Sequence, residues 1–362
     1  MFLPRPPEIE YIRGLANGSI KEKKPAPPKA RPMKPAAETR HQPGFIIKTG
    51  LNWVKQANRT PEAQMLFGEF WFQGELCILF ADTNVGKSIL AVQIGDSIAN
   101  GKPIGNFRLD AEPCPVLYFD FELTQKQFAR RYSQQGSRPY HFHRHFHRAV
   151  PNPISNKERL FGTYEQFINN EIENAILNTK AKVVIIDNVT CLRQGAQAAA
   201  GTINLIRGLQ AIKNTYNLSI LVLAHTPKRN PVKPVTRNCL QGSKMLINFC
   251  DSAFAIGESH AVPGLRYLKQ IKQRSTTEAY GAENVCLFRL IKPGNNLQAE
   301  FCGHGVEADH LLHFTEQHRR SRANRIADLS KQGLSLRQIA AEVKLSATTV
   351  FYILQKQAKE EG

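Results

Sequence analysis

The 362-residue sequence is short of acidic residues, of paired cysteines and of long apolar runs, and each shortage excludes something. Only 30 Asp and Glu face 48 Lys and Arg, a formal net charge of +18. A surplus of that size points to polyanionic partners (nucleic acid, nucleotide or an anionic membrane surface) and says little about fold. No run approaches the ~18 apolar residues of a spanning helix. Pro4, Pro6 and Pro7 break the start, where a signal-peptide core would lie. Membrane-embedded and secreted proteins are therefore disfavoured. Seven cysteines (Cys77, Cys114, Cys191, Cys239, Cys250, Cys286 and Cys302) include no C-x-x-C pair and sit mostly in apolar stretches. They read as reduced residues of a cytoplasmic protein. No internal repeat is visible. Hydrophobic residues make up 42%, enough to bury one or two cores.

The charge is spread over three segments. Residues 1–45 hold nine Lys and Arg, four acids and nine of the 21 prolines, residues 46–314 are net +9, and residues 315–362 net +4. The first segment has too little apolar surface to offset the entropy of ordering it, so a mobile basic tail is expected. From residue 46 short apolar runs alternate with helical spacing. Expected strands are Leu76–Ala81, Val116–Phe121, Val183–Asp187, Ile220–Ala224, Ser252–Ile256, Arg266–Ile271 and Val285–Ile291. Phe167, Ile168, Ile172, Ala175 and Ile176 form one helical stripe, and Ile203, Ile206, Leu209 and Ile212 another. The early strands are apolar almost throughout, as when helices cover both faces of a sheet. The pattern predicts an α/β domain with a largely parallel sheet.

The most informative segment runs strand, tight loop, helix: Leu76–Ala81, then Asp82-Thr83-Asn84-Val85-Gly86-Lys87-Ser88, then Ile89 onward. Gly-Lys-Ser closes a phosphate-binding loop. Gly86 lets backbone amides turn toward phosphates, and the helix brings its positive end there. Lys87 is placed for β- and γ-phosphates and Ser88 for Mg²⁺. Ala81 stands where glycine usually opens such a loop, and a small residue suffices. Nucleotide binding over Ala81–Ile89 follows.

Hydrolysis needs more. Val183–Asp187 is an apolar strand ending in an acid, suited to orient magnesium-bound water. Val116–Phe121 ends among acids, and either Glu122 or Asp120 could polarise the attacking water. Strand alternation places the two on one face, which leaves the choice open. Leu218–Ala224 ends in His225, suited to donate to a γ-phosphate and report its loss.

This order of motifs resembles the RecA-like ATPases, and among them ring helicases of the RepA and DnaB type. The resemblance covers roughly residues 65–300. It implies a RecA-like P-loop NTPase core using ATP and Mg²⁺, with Lys87 and Ser88 in the loop, Glu122 as catalytic glutamate, Asp187 as magnesium aspartate and His225 as sensor. It also implies a Lys272-x-Arg274 finger reaching a neighbouring subunit, hence a ring or filament that could pass single-stranded DNA. Leu240-Gln241-Gly242-Ser243-Lys244 looks like the loop after the sensor strand in the RepA-like branch. Leu66–Trp71, Asn84–Ser88 and Leu240–Lys244 are also similar in phrasing to ATPases of mobilizable transposons (TnpC-like).

Residues 304–320 are polar, rich in His and Arg, and read as a linker after an ATPase domain at 46–303. In 321–362, Ser335 and Gln338 form a capping box, Ile339, Ala340 and Val343 give one apolar face, and Ser346 caps a second helix bearing Val350, Ile353 and Leu354. The spacing resembles the helix-turn-helix of resolvase-type domains, with residues 347–357 as recognition helix. That implies a small all-α reader of duplex DNA. Thr348, Thr349 and Tyr352 would meet bases, and Arg337, Lys344 and Lys356 phosphates. A hairpin packing on the ATPase or on another subunit is the other reading. His141, His143, His145 and His147 alternate with Phe142 and Phe146. A strand with buried phenylalanines explains this more simply than a metal site.

Overall fold

The computed structural model describes residues 45–134, 137–152, 154, 161–188, 198–227, 229–240, 244–312, 316–343 and 345–360. The tail expected at 1–45 lies outside these except for its last residue. The chain forms two compact units, Met1–Pro61 and Glu62–Gly362. In the first unit, helix α1 (Gly50–Ala57) starts at Thr49, whose side chain accepts the Asn52 N–H.

The second unit begins with a small hairpin, β1 (Met65–Phe67) and β2 (Trp71–Phe72), and then β3 (Leu76–Ala81) and α2 (Lys87–Asn100). There follow β4 (Val116–Asp120), α3 (Gln125–Arg131), the short β5 (Ser133–Gln134) and β6 (Arg138–Pro139), β7 (Phe146–Ala149), α4 (Tyr164–Thr179) and β8 (Val183–Asp187). Next come α5 (Ala198–Tyr216), β9 (Ser219–His225), α6 (Lys244–Phe249), β10 (Ser252–Glu258), β11 (Leu265–Lys272), β12 (Val285–Ile291) and β13 (Gln298–Gly305).

Nine strands form one sheet in the order β13-β12-β11-β10-β3-β9-β8-β4-β7. From β10 to β7 every pairing is parallel, and β10 to β13 are antiparallel. One strand, β9, separates β3 from β8. All six residues of β3 are buried, and their alternation divides the core. Cys77, Leu79 and Ala81 join Leu90, Ile94 and Ile98 of α2 on one face. Leu76, Ile78 and Phe80 join Ile168, Ile172 and Ile176 of α4 and Leu205, Ile206 and Leu209 of α5 on the other. Both helical stripes expected from the spacing thus face the sheet. Truncating a residue such as Leu90 to alanine would cost about 2–5 kcal/mol. Cys77, Cys250 and Cys286 are buried free thiols, whereas Cys302 is exposed.

Three expectations change. The strand expected through Phe121 ends at Asp120, because the next residues turn. The histidine-rich stretch is a strand only from Phe146. Before it the chain turns, with the Phe146 N–H donating to the His143 carbonyl and the His145 N–H to His143 Nδ1, while Phe142 stacks on Phe146 at 5.0 Å. Residues 304–310, expected as linker, belong to the core. Strand β13 runs to Gly305, and buried Glu307 accepts from the Val235 N–H, Tyr267 O–H and Lys269 ammonium.

The chain continues with α7 (Glu316–Lys331), α8 (Leu336–Glu342) and α9 (Ala347–Glu360). Ile326, Ile339, Ala340 and Val350, one or more from each helix, form a separate small core. Ser335 and Gln338 make the expected capping box, and Ser346 Oγ accepts the Thr349 N–H. Among the described residues, no helix is long and apolar enough to cross a membrane.

Candidate functional site

The carboxyl ends of β3, β4, β8 and β9 converge on one set of polar groups. Beyond β3 the chain bends through Asn84 (φ 62°) and Gly86 (φ 106°). A side chain at Gly86 would be strained by that backbone and would also meet Leu290, 2.9 Å from the position of a Cβ. No side chain caps the amino end of α2, so its first N–H groups face outward, the state that suits an anion. Thr83 donates its N–H to Asp82 Oδ1, and Val85 is buried beneath the loop. Lys87 is 6% exposed and curls into its own loop, its ammonium donating to the Ala81 and Asp82 carbonyls at 3.0 and 2.7 Å. Burial lowers its pKa, against the pull of Asp187, Glu122 and Asp82.

Asp187, at the end of β8, is fully buried. Burial pushes its carboxyl up to about 6, while hydrogen bonds from Ser88 and Tyr118 act in the opposite direction. Tyr118 on the adjacent strand donates its hydroxyl to Oδ2 at 2.5 Å. Oδ1 is buried without a hydrogen-bond partner of ordinary geometry. An orphaned carboxylate oxygen beside a serine hydroxyl, under an uncapped helix end, is a donor set that fits Mg²⁺ with its water shell.

His225 bridges the two halves of the site. Its Nδ1 is 3.2 Å from the Lys87 ammonium and its Nε2 3.2 Å from Glu122 Oε1. An ammonium only donates, so Nδ1 accepts from Lys87, and Nε2 lies within hydrogen-bond reach of both Glu122 Oε1 and the Asn188 amide nitrogen, the latter at 2.8 Å. Asn188 donates its amide to the same Glu122 oxygen. The His225 hydrogen bond, first among several causes, holds the Glu122 carboxyl below its usual range.

The structure separates the two acids that sequence spacing put on one face. Asp120 is the last strand residue and its side chain is wholly buried. Oδ1 accepts the Glu122 and Leu123 N–H groups at 3.1 and 2.8 Å, and Oδ2 accepts Arg148 Nε at 2.9 Å. Glu122, past the strand end, remains 31% exposed and faces His225. Asp120 thus has no lone pair left for water.

Other candidates lie apart. Strand register places Lys272 opposite Ala253 and Ala253 opposite Ile78. Arg274 is therefore at the other end of the sheet from Lys87. There it donates to Asp251 and to the Asn248 carbonyl, and Lys272 to the Ile247 and Cys250 carbonyls. Leu240 is buried, and Gln241, Gly242 and Ser243 lie outside the described residues. Arg337, Thr348, Thr349 and Tyr352 are exposed. Lys344 and the Lys356 side chain lie outside the described residues. His143 and His145 touch edge to face, and His147 is exposed. Tyr118, Asn188 and Arg148 were not legible as site residues. Only Asn188, next to Asp187, carried even a positional hint.

A phosphate loop on a parallel sheet, with a buried acid one strand removed, defines a P-loop NTPase. The family described as "AAA domain" matches residues 43–231, more than half of the sequence, and the chain belongs to that family of ATPases. A KaiC-like protein from the archaeon Pyrococcus horikoshii OT3 is similar in structure at a TM-score of 0.45 and 12% identity, over 64% of this chain and 91% of that one. Comparison with curated proteins gives no match.

Proposed function

We propose that the protein is a Mg²⁺-dependent ATPase acting on DNA, in the replication, transfer or transposition of a mobile element or plasmid. The observation that carries the ATPase part is the convergence of Lys87, Asp187, Glu122 and His225 at the ends of four strands. Entering phosphates would draw Lys87 away from the Ala81 and Asp82 carbonyls, which occupy it in their absence. Ser88 and the orphaned Asp187 oxygen would hold Mg²⁺ and its water, and the bound ion would supply charge neutralisation at the phosphates. Glu122, kept ionised by His225, would take the proton of the attacking water. His225 would lose its Lys87 contact as the lysine moves, which makes it the sensor of the phosphate. Arg274, remote from its own loop, would complete the site of a neighbouring copy in a ring or filament.

The DNA part rests on different features. It is supported by the basic sequence, the paired capped helices α8 and α9, and the exposed Thr348 and Tyr352 between basic residues. The mobile-element setting rests on the resemblance to transposon-borne ATPases. Lys87→Ala should abolish turnover while the protein remains folded; parental ATPase activity in that variant would overturn the site. On a forked duplex, ATP-dependent unwinding supports a helicase. ATP-dependent duplex binding without unwinding supports an ATP-switched regulator or transposition adaptor.

A further inference from the structure

The turn that presents Glu122 is held by a residue from another strand. Arg148 lies on β7, which pairs in parallel with β4, and its guanidinium spans that turn. Nε and Nη2 meet Asp120 Oδ2 at 2.9 and 2.8 Å, and the same Nη2 donates to the Leu123 carbonyl at 2.8 Å. The guanidinium also sits 4.4 Å from the centre of the Phe128 ring on α3. From the other side, Asp120 Oδ1 accepts the N–H groups of Glu122 and Leu123. The backbone on both sides of Glu122 is therefore tied to one buried ion pair. The side chain of Glu122 itself is partly exposed, and its carboxylate meets His225 and Asn188 at the site.

The geometry assigns Arg148 the role of a positioning residue: through Asp120 and the Leu123 carbonyl it sets the turn that aims Glu122 at the site of the attacking water. The guanidinium of Arg148 contacts Asp120, the Leu123 carbonyl and the Phe128 ring, so its influence passes through that turn. Arginine suits the task because one planar fork satisfies a carboxylate and a carbonyl together, which a lysine ammonium cannot do in the same geometry. Misplacing a catalytic group by about 1 Å costs on the order of 100-fold in rate. The inference rests on the ATPase reading of the site.

The test measures kcat, the KM for ATP, and the affinity for a fluorescent ATP analogue in folded full-length variants. Arg148→Ala should lower kcat by about 10- to 100-fold and leave KM and affinity within about twofold. Arg148→Ala leaves a buried carboxylate without its counter-charge, so the neutral pair Asp120→Asn with Arg148→Gln provides a variant free of that burden, with the same split expected. Parental kcat in either folded variant, or an equal loss of affinity and kcat, would overturn the role. In a Glu122→Gln background Arg148→Ala should add less than about twofold, since it acts through Glu122. A full multiplicative loss there would also overturn it. Glu122→Gln alone retaining the parental kcat would instead remove the ATPase assignment of Glu122, and the role of Arg148 with it.

Discussion

The phosphate end of the sheet and the three carboxy-terminal helices are stable for opposite reasons. The first buries Lys87, Asp120 and Asp187 among apolar strands and leaves one oxygen of Asp187 without a good partner. The second, among its described residues, buries Ile326, Ile339, Ala340 and Val350 and relies on capped helix ends. In the large domain, two cores flanking a nine-stranded sheet can offset the desolvation of ionised groups, and those groups are then available for chemistry. A three-helix unit has no such reserve, and its polar residues stay on the surface, where they suit recognition.

The largest effect that would separate the two regions is expected from Val350→Asp. It puts an unpaired charge into the smaller core at about 3 kcal/mol or more. Helices α7 to α9 should lose protection from proteolysis while ATP turnover persists; unchanged protection would contradict the small-core description. Asp187→Asn should have the opposite sign. Its carboxyl titrates near 6 in the folded protein and near 3.8 when unfolded. Between those values the folded form holds more protons, so the stability contribution falls as pH rises. Without Mg²⁺, the variant should gain about 2 kcal/mol in urea unfolding at pH 7.5 and less at pH 5. A loss at both values would show that Asp187 is not a strained group.

Tyr118→Phe removes the hydroxyl that holds Asp187 Oδ2. The Mg²⁺ concentration giving half-maximal ATPase activity should rise about 10-fold, and no change would remove Tyr118 from the site. Ser335→Ala opens the capping box of α8 and should cost about 1 kcal/mol, seen as a lower melting temperature of α7 to α9 alone. A shift in the melting of the large domain would show that the small core of α7 to α9 does not unfold on its own.

The phosphate loop was legible because its chemistry is local. Asn84, Gly86, Lys87 and Ser88 lie within one turn, and flanking apolar runs announce strand and helix. Asp187 was legible for the same reason, as an acid closing an apolar strand. The choice between Asp120 and Glu122 was not, since it depends on Arg148, 28 residues away from Asp120. Alternation misled there because it holds only while a strand continues, and β4 stops at Asp120. The polar look of residues 304–310 likewise hid Glu307, whose three partners come from distant segments.

Local residue patterns were thus sufficient to determine a phosphate-binding α/β ATPase core, its helical faces and two capped helices near the carboxyl end. Tertiary structure decided which acid is tied up in the turn and which faces His225, how His225 joins Lys87 to Glu122, and that Arg274 lies away from its own loop. The reason is physical. Helices, caps and phosphate loops are set by neighbours within a few residues, whereas burial and hydrogen-bond saturation depend on what the sheet brings alongside.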